Sequence, residues 1–207
     1  FGYLIGAYCA EGCMTKHQIS IANNDDEYLK RIEEWCERHN LTTKIYLNKD
    51  KIQEGWTSQD IRIYSTILCN IIDNLCGKLS HNKYVSDKII FSNRECVLGF
   101  LDAYIGGDGC VKMNKGKIEN IEISSVSHKM LTSVQLMLKN LGVKDVPSPI
   151  MRRYAWPGRY KPMAHQKETS AFLTMHRKAF VFSEPGTGKT LAALWAADYL
   201  MQIKHVR

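Results

Sequence analysis

The sequence predicts an α+β fold made of two αββαββα repeats, the second incomplete, followed by the opening of a phosphate-loop α/β segment. Three observations lead there. Residues 2–12 (GYLIGAYCAEG) and 97–109 (VLGFLDAYIGGDG) both carry small residues at every fourth position, Gly2, Gly6 and Ala10 in one and Gly99, Ala103 and Gly107 in the other, and both end in an acid followed by glycine. The context downstream also repeats, Ile19-Ser-Ile21 matching Ile121-Glu-Ile123. Near the end, Ser183-Glu-Pro-Gly-Thr-Gly-Lys189-Thr190 lies between an apolar run and an Ala/Leu-rich stretch, the strand–loop–helix context of a phosphate-binding loop.

Each element has a local reason. Small residues four apart make one smooth stripe on a helix, so the first and second stretches are read as helices whose backbones can approach closely, closed by Gly12 and Gly109 as C-caps. Residues 17–22 alternate apolar Ile19 and Ile21 with polar neighbours, a half-buried strand. Asn24 or Asp25 caps a helix over about 26–39 with Leu29, Ile32 and Cys36 on one face. Residues 44–47 and 60–64 read as two further strands joined by a polar loop with Gly55, and 67–75 as a helix closed by Gly77. In the second copy the acids are 97 residues apart but the later strands 102, so the first hairpin is longer, turning near Asn114-Lys-Gly116; a helix with Leu131, Val134 and Leu138 follows Ser127.

The acids Glu11 and Asp108 carry the chemistry. A carboxylate at a helix C-terminus sits at the negative end of the dipole, and packing two such helices together sets two carboxylates side by side. Like charges that close repel unless a proton or cation lies between them, and a shared divalent metal is the economical answer. A membrane-helix dimer seam is excluded, because neither apolar run nears the roughly 20 residues a bilayer crossing needs.

Leu4-Ile-Gly-Ala-Tyr-Cys-Ala-Glu11-Gly12 and Leu101-Asp-Ala-Tyr-Ile-Gly-Gly-Asp108-Gly109 resemble the signature of the LAGLIDADG homing endonucleases in their single-chain, two-motif form. The resemblance implies that the two helices form a pseudo-twofold interface, that Glu11 and Asp108 are catalytic and hold Mg²⁺ or another divalent cation, and that each half lays a sheet in the major groove of double-stranded DNA. Strand alternation then supplies the DNA-reading candidates: Lys16, Gln18 and Ser20; Lys44, Tyr46 and Asn48; Gln59 and Arg62; and in the second half Lys112, Asn114, Lys117 and Glu122. Lys16 or Lys112 is a candidate for polarising the attacking water. The acids Asp25, Asp26, Glu27, Glu33, Glu34 and Glu37 crowd one helix, which is expected on the side of the sheet away from phosphates.

Composition bounds the rest. At 44% hydrophobic and 24% charged the chain reads as an ordinary globular protein. Of 28 Lys+Arg and 21 Asp+Glu, 10 and 3 lie after residue 146, so that tail holds the whole net charge of +7 and the first part must bind DNA through a local basic stripe. Seven cysteines, an odd number, and no leading signal segment favour a reducing intracellular setting, in a phage or bacterium. Cys9 and Cys13 have no second ligand pair to make a zinc site.

After Val146 the composition shifts to Pro147, Pro149, Arg152, Arg153, Pro157 and Pro162, which reads as a boundary. The chain thus divides into 1–146 (repeat 1 about 1–94, partial repeat 2 about 95–146) and 147–207. The second repeat lacks its last two strands and closing helix. Residues 179–182 (AFVF) are expected as a buried strand and 191–202 as the helix after the loop. Gly186, Thr187, Gly188, Lys189 and Thr190 would cradle ATP phosphates and Mg²⁺. Residues 160–166 (YKPMAHQ) are similar to the adenine-reading glutamine motif of Swi/Snf-type superfamily 2 helicases, which implies a role for Gln166.

The expected function is a metal-dependent, site-specific double-strand DNA endonuclease, monomeric, not membrane-bound, whose truncated second half puts cleavage in question, fused to an ATP-binding helicase segment. Alternatives are a helicase or translocase fragment carrying a decayed endonuclease insertion, a non-cleaving DNA-binding regulator, and an RNA maturase of the same fold. Self-splicing is not expected: the sequence opens on Phe1, and His39-Asn40 and His81-Asn82 precede Leu41 and Lys83 where a nucleophile would be needed.

Overall fold

The computed structural model describes residues 1–47, 59–143, 146, 148–157, 161–176 and 179–203. Two compact units divide between Ser127 and His128. The helix after Ser127, which the repeat assigns to the second copy, falls in the later unit. Among the described residues no helix is long and apolar enough to cross a membrane.

In the first unit, α1 (Gly2–Glu11) leads into a hairpin of β1 (Gly12–Met14) and β2 (Gln18–Ala22). Then come α2 (Asp26–Arg38), β3 (Thr42–Leu47), β4 (Gln59–Tyr64) and α3 (Thr66–Cys76). A 3₁₀ turn (Ser80–Asn82) and a short α4 (Asp87–Ile90), neither legible in the sequence, precede α5 (Arg94–Asp108) and the hairpin β5 (Gly109–Asn114) and β6 (Lys117–Ile123). The four strands of the first repeat form one antiparallel sheet in the order β1-β2-β4-β3; β5 and β6 pair alone. Their turn has positive φ at both Lys115 (49°) and Gly116 (78°), the twisted two-residue type that suits a hairpin.

Caps and periodicity explain the boundaries. Asp25 accepts from the N–H groups of Glu27 and Tyr28, Ser65 from Leu68 and Asn93 from Cys96, so three helices begin at side-chain caps. Ile19, Ile21, Ile61 and Ile63 are fully buried on one face of the sheet, and α2 and α3 bring Leu29, Ile32, Cys36, Leu68 and Ile72 into the core on that side. Burying each of these aliphatic side chains contributes about 1.5–3 kcal/mol.

The helix pair α1–α5 is the axis of the unit. A Cβ on Gly2 would run into the carbonyl of Cys96 and one on Gly6 into that of Phe100, so the small-residue stripe is what lets the two backbones meet. Gly12 and Gly109 are the C-caps of the two helices, as the sequence predicts. Both are extended (φ −89° and −101°) rather than left-handed, and each directly starts a strand. Glycine is required there for space, since a Cβ would stand 2.5 Å from Tyr8 or from the Ile105 carbonyl.

The second unit holds α6 (His128–Asn140), α7 (Pro149–Arg153), α8 (Ala164–Thr174) and α9 (Lys189–Gln202). Its α6 buries Met130, Val134, Leu136 and Met137, a face shifted from the expected Leu131 and Leu138, which are only half-buried. Ile150, Tyr154, Trp195 and Tyr199 form a core, and Tyr154 donates to Asp198 at 2.6 Å. The expected strand at 179–182 does not form. Phe180 and Phe182 are 84% and 92% exposed, because the described residues of this unit contain no strand for it to pair with.

Candidate metal and nucleic-acid site

Glu11 and Asp108 are the last residues of α1 and α5. The helix ends meet: a Cβ on Gly107 would stand 2.7 Å from the Ala10 Cβ and 3.2 Å from the Glu11 Cγ. Both acids are solvent-exposed. Both nevertheless hold their protons more tightly than usual. Crowding by surrounding protein and then the Glu11 charge push Asp108 up to about 6, and crowding likewise raises Glu11, each against the opposing pull of Lys83. Among the described residues no group of three or more His, Cys, Asp or Glu assembles.

Lys83 is the residue the sequence did not single out. It is 5% exposed, and its ammonium donates to the carbonyls of Tyr8 (2.7 Å), Cys9 (3.1 Å) and Gly12 (2.7 Å), over the Tyr8 ring at 4.8 Å. Tyr8 and Cys9 lie in the last turn of α1 and Gly12 follows it, so one cation caps the negative end of the helix near the acids, the Tyr8 carbonyl being shared with the Gly12 N–H. Burial lowers its pKa, while the charge of Asp108 among others holds it up. The 3₁₀ turn places it: Lys83 N–H donates to the Leu79 carbonyl (3.0 Å) and Ser127 Oγ to the Lys83 carbonyl (2.6 Å). Of the lysines expected beside the acids, Lys112 instead pairs with Glu122 at 2.7 Å, and Lys16 is exposed in the β1–β2 turn.

Register sorts the DNA candidates. Ser20, Arg62 and Lys44 form one row across β2, β4 and β3; Gln18, Tyr64 and Thr42 form the next; Ala22, Asp60 and Tyr46 the third. All nine lie on the face opposite the buried isoleucines. Gln59 does not. It shares the parity of Ile61 and Ile63, and its amide donates to Asp26 on α2 at 2.6 Å, so it lies off that face. Asn114 and Lys117 pair across the tip of the β5–β6 hairpin. Asn48 lies outside the described residues.

Within the second unit, Gly186 and Gly188 take positive φ (82° and 78°), and Gly188 starts α9. Lys189 donates to the Ser183 (2.7 Å) and Glu184 (2.9 Å) carbonyls, and Gln166 donates to the Thr187 carbonyl at 3.1 Å. Gln166, Ser183, Glu184, Thr187, Gly188 and Lys189 line a cleft of about 400 Å³, with Thr190 exposed at the first turn of α9.

Residues 1–74 and 95–169 match the LAGLIDADG-like domain family. The chain is also similar to the DNA-directed RNA polymerase subunit Rpo1C of Methanocaldococcus jannaschii, 30% identical over 169 residues that cover 81% of this chain and 19% of that one. It is similar to an A-type ATP synthase subunit of Pyrococcus abyssi, 30% identical over 145 residues (69% of this chain, 13% of the other). A DNA polymerase of Thermococcus kodakarensis is 26% identical over 152 residues (69% and 8%). The chain therefore spans less than a fifth of the length of these relatives. Solved structures of I-DmoI with DNA and Mn, and with DNA and Ca, have TM-scores of 0.47 and 0.48 at 18% identity, over 69% of this chain and 77% and 71% of theirs.

Proposed function

Because the chain belongs to the LAGLIDADG-like family, we propose that it binds double-stranded DNA through its four-stranded sheet and hydrolyses phosphodiesters at the Glu11–Asp108 pair. The observation that carries this reading is the meeting of two raised-pKa carboxylates at the ends of two closely packed helices, beside a buried ammonium. Glu11 and Asp108 would hold a Mg²⁺ or similar ion, a hard cation that takes one or two carboxylates and keeps its other positions for water and phosphate. Such an ion supplies Lewis acidity at the scissile phosphate and lowers the pKa of water. Lys83 fixes the α1 terminus and offsets the repulsion between the acids, so that both are available in their charged forms. The outward rows of the sheet orient the duplex over them.

Among the described residues the second repeat offers only the β5–β6 hairpin as a sheet, which supports a short reading surface over that half of a site. Each base contact is worth about 1–3 kcal/mol, and affinity accordingly shifts toward the non-specific, salt-sensitive level. The test is a nuclease assay on randomised duplexes with Mg²⁺, comparing the parent with Glu11→Gln and Asp108→Asn. Metal-dependent products from the parent and none from either variant are expected; cleavage surviving in both variants refutes the assignment.

A second reading concerns residues 147–207. The RNA polymerase, ATP synthase and DNA polymerase relatives have unlike names, yet each is similar to this chain over 145–169 residues that make up less than a fifth of its own length. That pattern supports a module separable from its host, here a Swi/Snf-type superfamily 2 helicase of which residues 147–207 are the opening portion. The wrapped 183–188 loop with Gln166 against it supports nucleotide binding through Gly186, Thr187, Gly188, Lys189 and Thr190. Weak ATP binding without turnover is expected, and lost in Lys189→Ala; DNA-stimulated ATP hydrolysis by this chain contradicts it.

A further inference from the structure

The outward sheet face carries an acid where DNA phosphates would approach. Asp60 accepts hydrogen bonds from Ser20 Oγ (2.9 Å) and from Arg62 Nε (2.8 Å) through the same carboxylate oxygen. The Arg62 guanidinium also lies over the Tyr46 ring, 4.1 Å from its centroid, and the Tyr46 hydroxyl is 3.0 Å from that of Tyr64. Three neighbouring strands thus pin one guanidinium: β4 through Asp60 at one edge, β3 through the ring beneath it, and β2 through Ser20 on the shared carboxylate.

We propose that Arg62, held by Asp60 and stacked on Tyr46, is the side chain through which this sheet reads one guanine of a duplex. The inference rests on the DNA-binding reading above. Among the described residues Asp60 is the guanidinium's only hydrogen-bond partner, and it occupies Nε, which leaves the two Nη groups as a fork at the far edge. A fixed fork of two donors matches the O6 and N7 acceptors of guanine in the major groove. A phosphate suits the position poorly, because it would meet the Asp60 carboxylate; the edge of a base brings no negative charge. Lys44, in the same row but 5.0 Å from the Tyr46 centroid and not paired with Asp60, suits a phosphate. Residues two apart on β4 are about 6.6–6.8 Å apart, close to two base steps of about 3.4 Å, so Arg62 addresses one position and not the positions facing Asp60 or Tyr64. Asp60 is a positioning residue for Arg62.

Binding to a randomised duplex library by the full chain, followed by sequencing of the bound fraction, tests this. The parent should enrich a site with one required guanine. Arg62→Ala and Arg62→Lys should both lose about 10–100-fold of the preference at that position alone while retaining it elsewhere, and Asp60→Asn should weaken the same position. Lys44→Ala should instead lower binding evenly over all sequences and flatten the salt dependence. Arg62→Lys retains the charge and stem, and melting curves equal to the parent's establish that a lost preference is not lost folding. Unchanged base preferences in both Arg62 variants, or an even loss across sequences, overturn the inference while leaving DNA binding standing; a parent that binds no duplex overturns both.

Discussion

Replacing Lys83 with Met keeps most of the buried stem and removes the ammonium. Three charge-assisted hydrogen bonds go with it, worth about 1.5–3 kcal/mol each before the cost of burying the ammonium is deducted. The Tyr8 carbonyl retains the Gly12 N–H as a partner, so the cost falls mainly on the Cys9 and Gly12 carbonyls, at about 1–3 kcal/mol apiece. With the desolvation of the lysine returned, we expect a net loss of about 3 kcal/mol, or about 10 °C in melting temperature for a chain of this size. Chemical denaturation read by tryptophan fluorescence measures it. Lys83→Arg should not rescue, because a planar fork cannot converge on three carbonyls clustered round one point. A loss below about 1 kcal/mol for Lys83→Met would mean that the ammonium does not close the α1 terminus.

Two further outcomes follow from the same helix pair. Gly6→Ala should destabilise the fold by about 2–4 kcal/mol, because its Cβ would meet the backbone of Phe100, which cannot swing aside; a melting temperature equal to the parent's contradicts the close crossing. Without divalent cation the chain should lose stability as pH rises from about 4 to 7. Asp108 binds its proton more tightly folded (pKa about 6) than unfolded (about 3.8), so its contribution is complete below the unfolded value and is lost as pH rises through the folded one. The full shift corresponds to about 3 kcal/mol; as the carboxylate is exposed, solvent screening cuts this to about 1 kcal/mol. Asp108→Asn should remove that slope, and equal slopes in parent and variant contradict it.

Most of the first repeat was legible because its determinants are local. Period-four small residues gave the helix crossing, alternating isoleucines the buried sheet face, and Asp25 its cap, whereas the Ser65 cap emerges only in the structure. Lys83 left no such trace: its partners are backbone carbonyls more than 70 residues earlier, which any sequence supplies, and only the chain path through the 3₁₀ turn delivers it. Gln59 was misassigned by one step of strand parity, while Asp60 and Tyr64, on the correct parity, were passed over. An acid reads as hostile to DNA until Arg62 is seen to be its partner. Residues 179–182 have strand composition, but composition cannot furnish neighbouring strands. The glycines after the acids are C-caps as the sequence indicates, but the lack of room for a Cβ beside Tyr8 and Ile105 is visible only in the structure.

The most direct test is calorimetric titration of the intact chain with Mg²⁺ or Ca²⁺, for the parent and for Glu11→Gln, Asp108→Asn and the double variant. If the two carboxylates share one cation, each single variant loses most of the affinity and the double variant loses little more, because either substitution already breaks the pair. Undiminished binding in the double variant, or two independent and additive losses, would show that the helix ends do not form a common metal site.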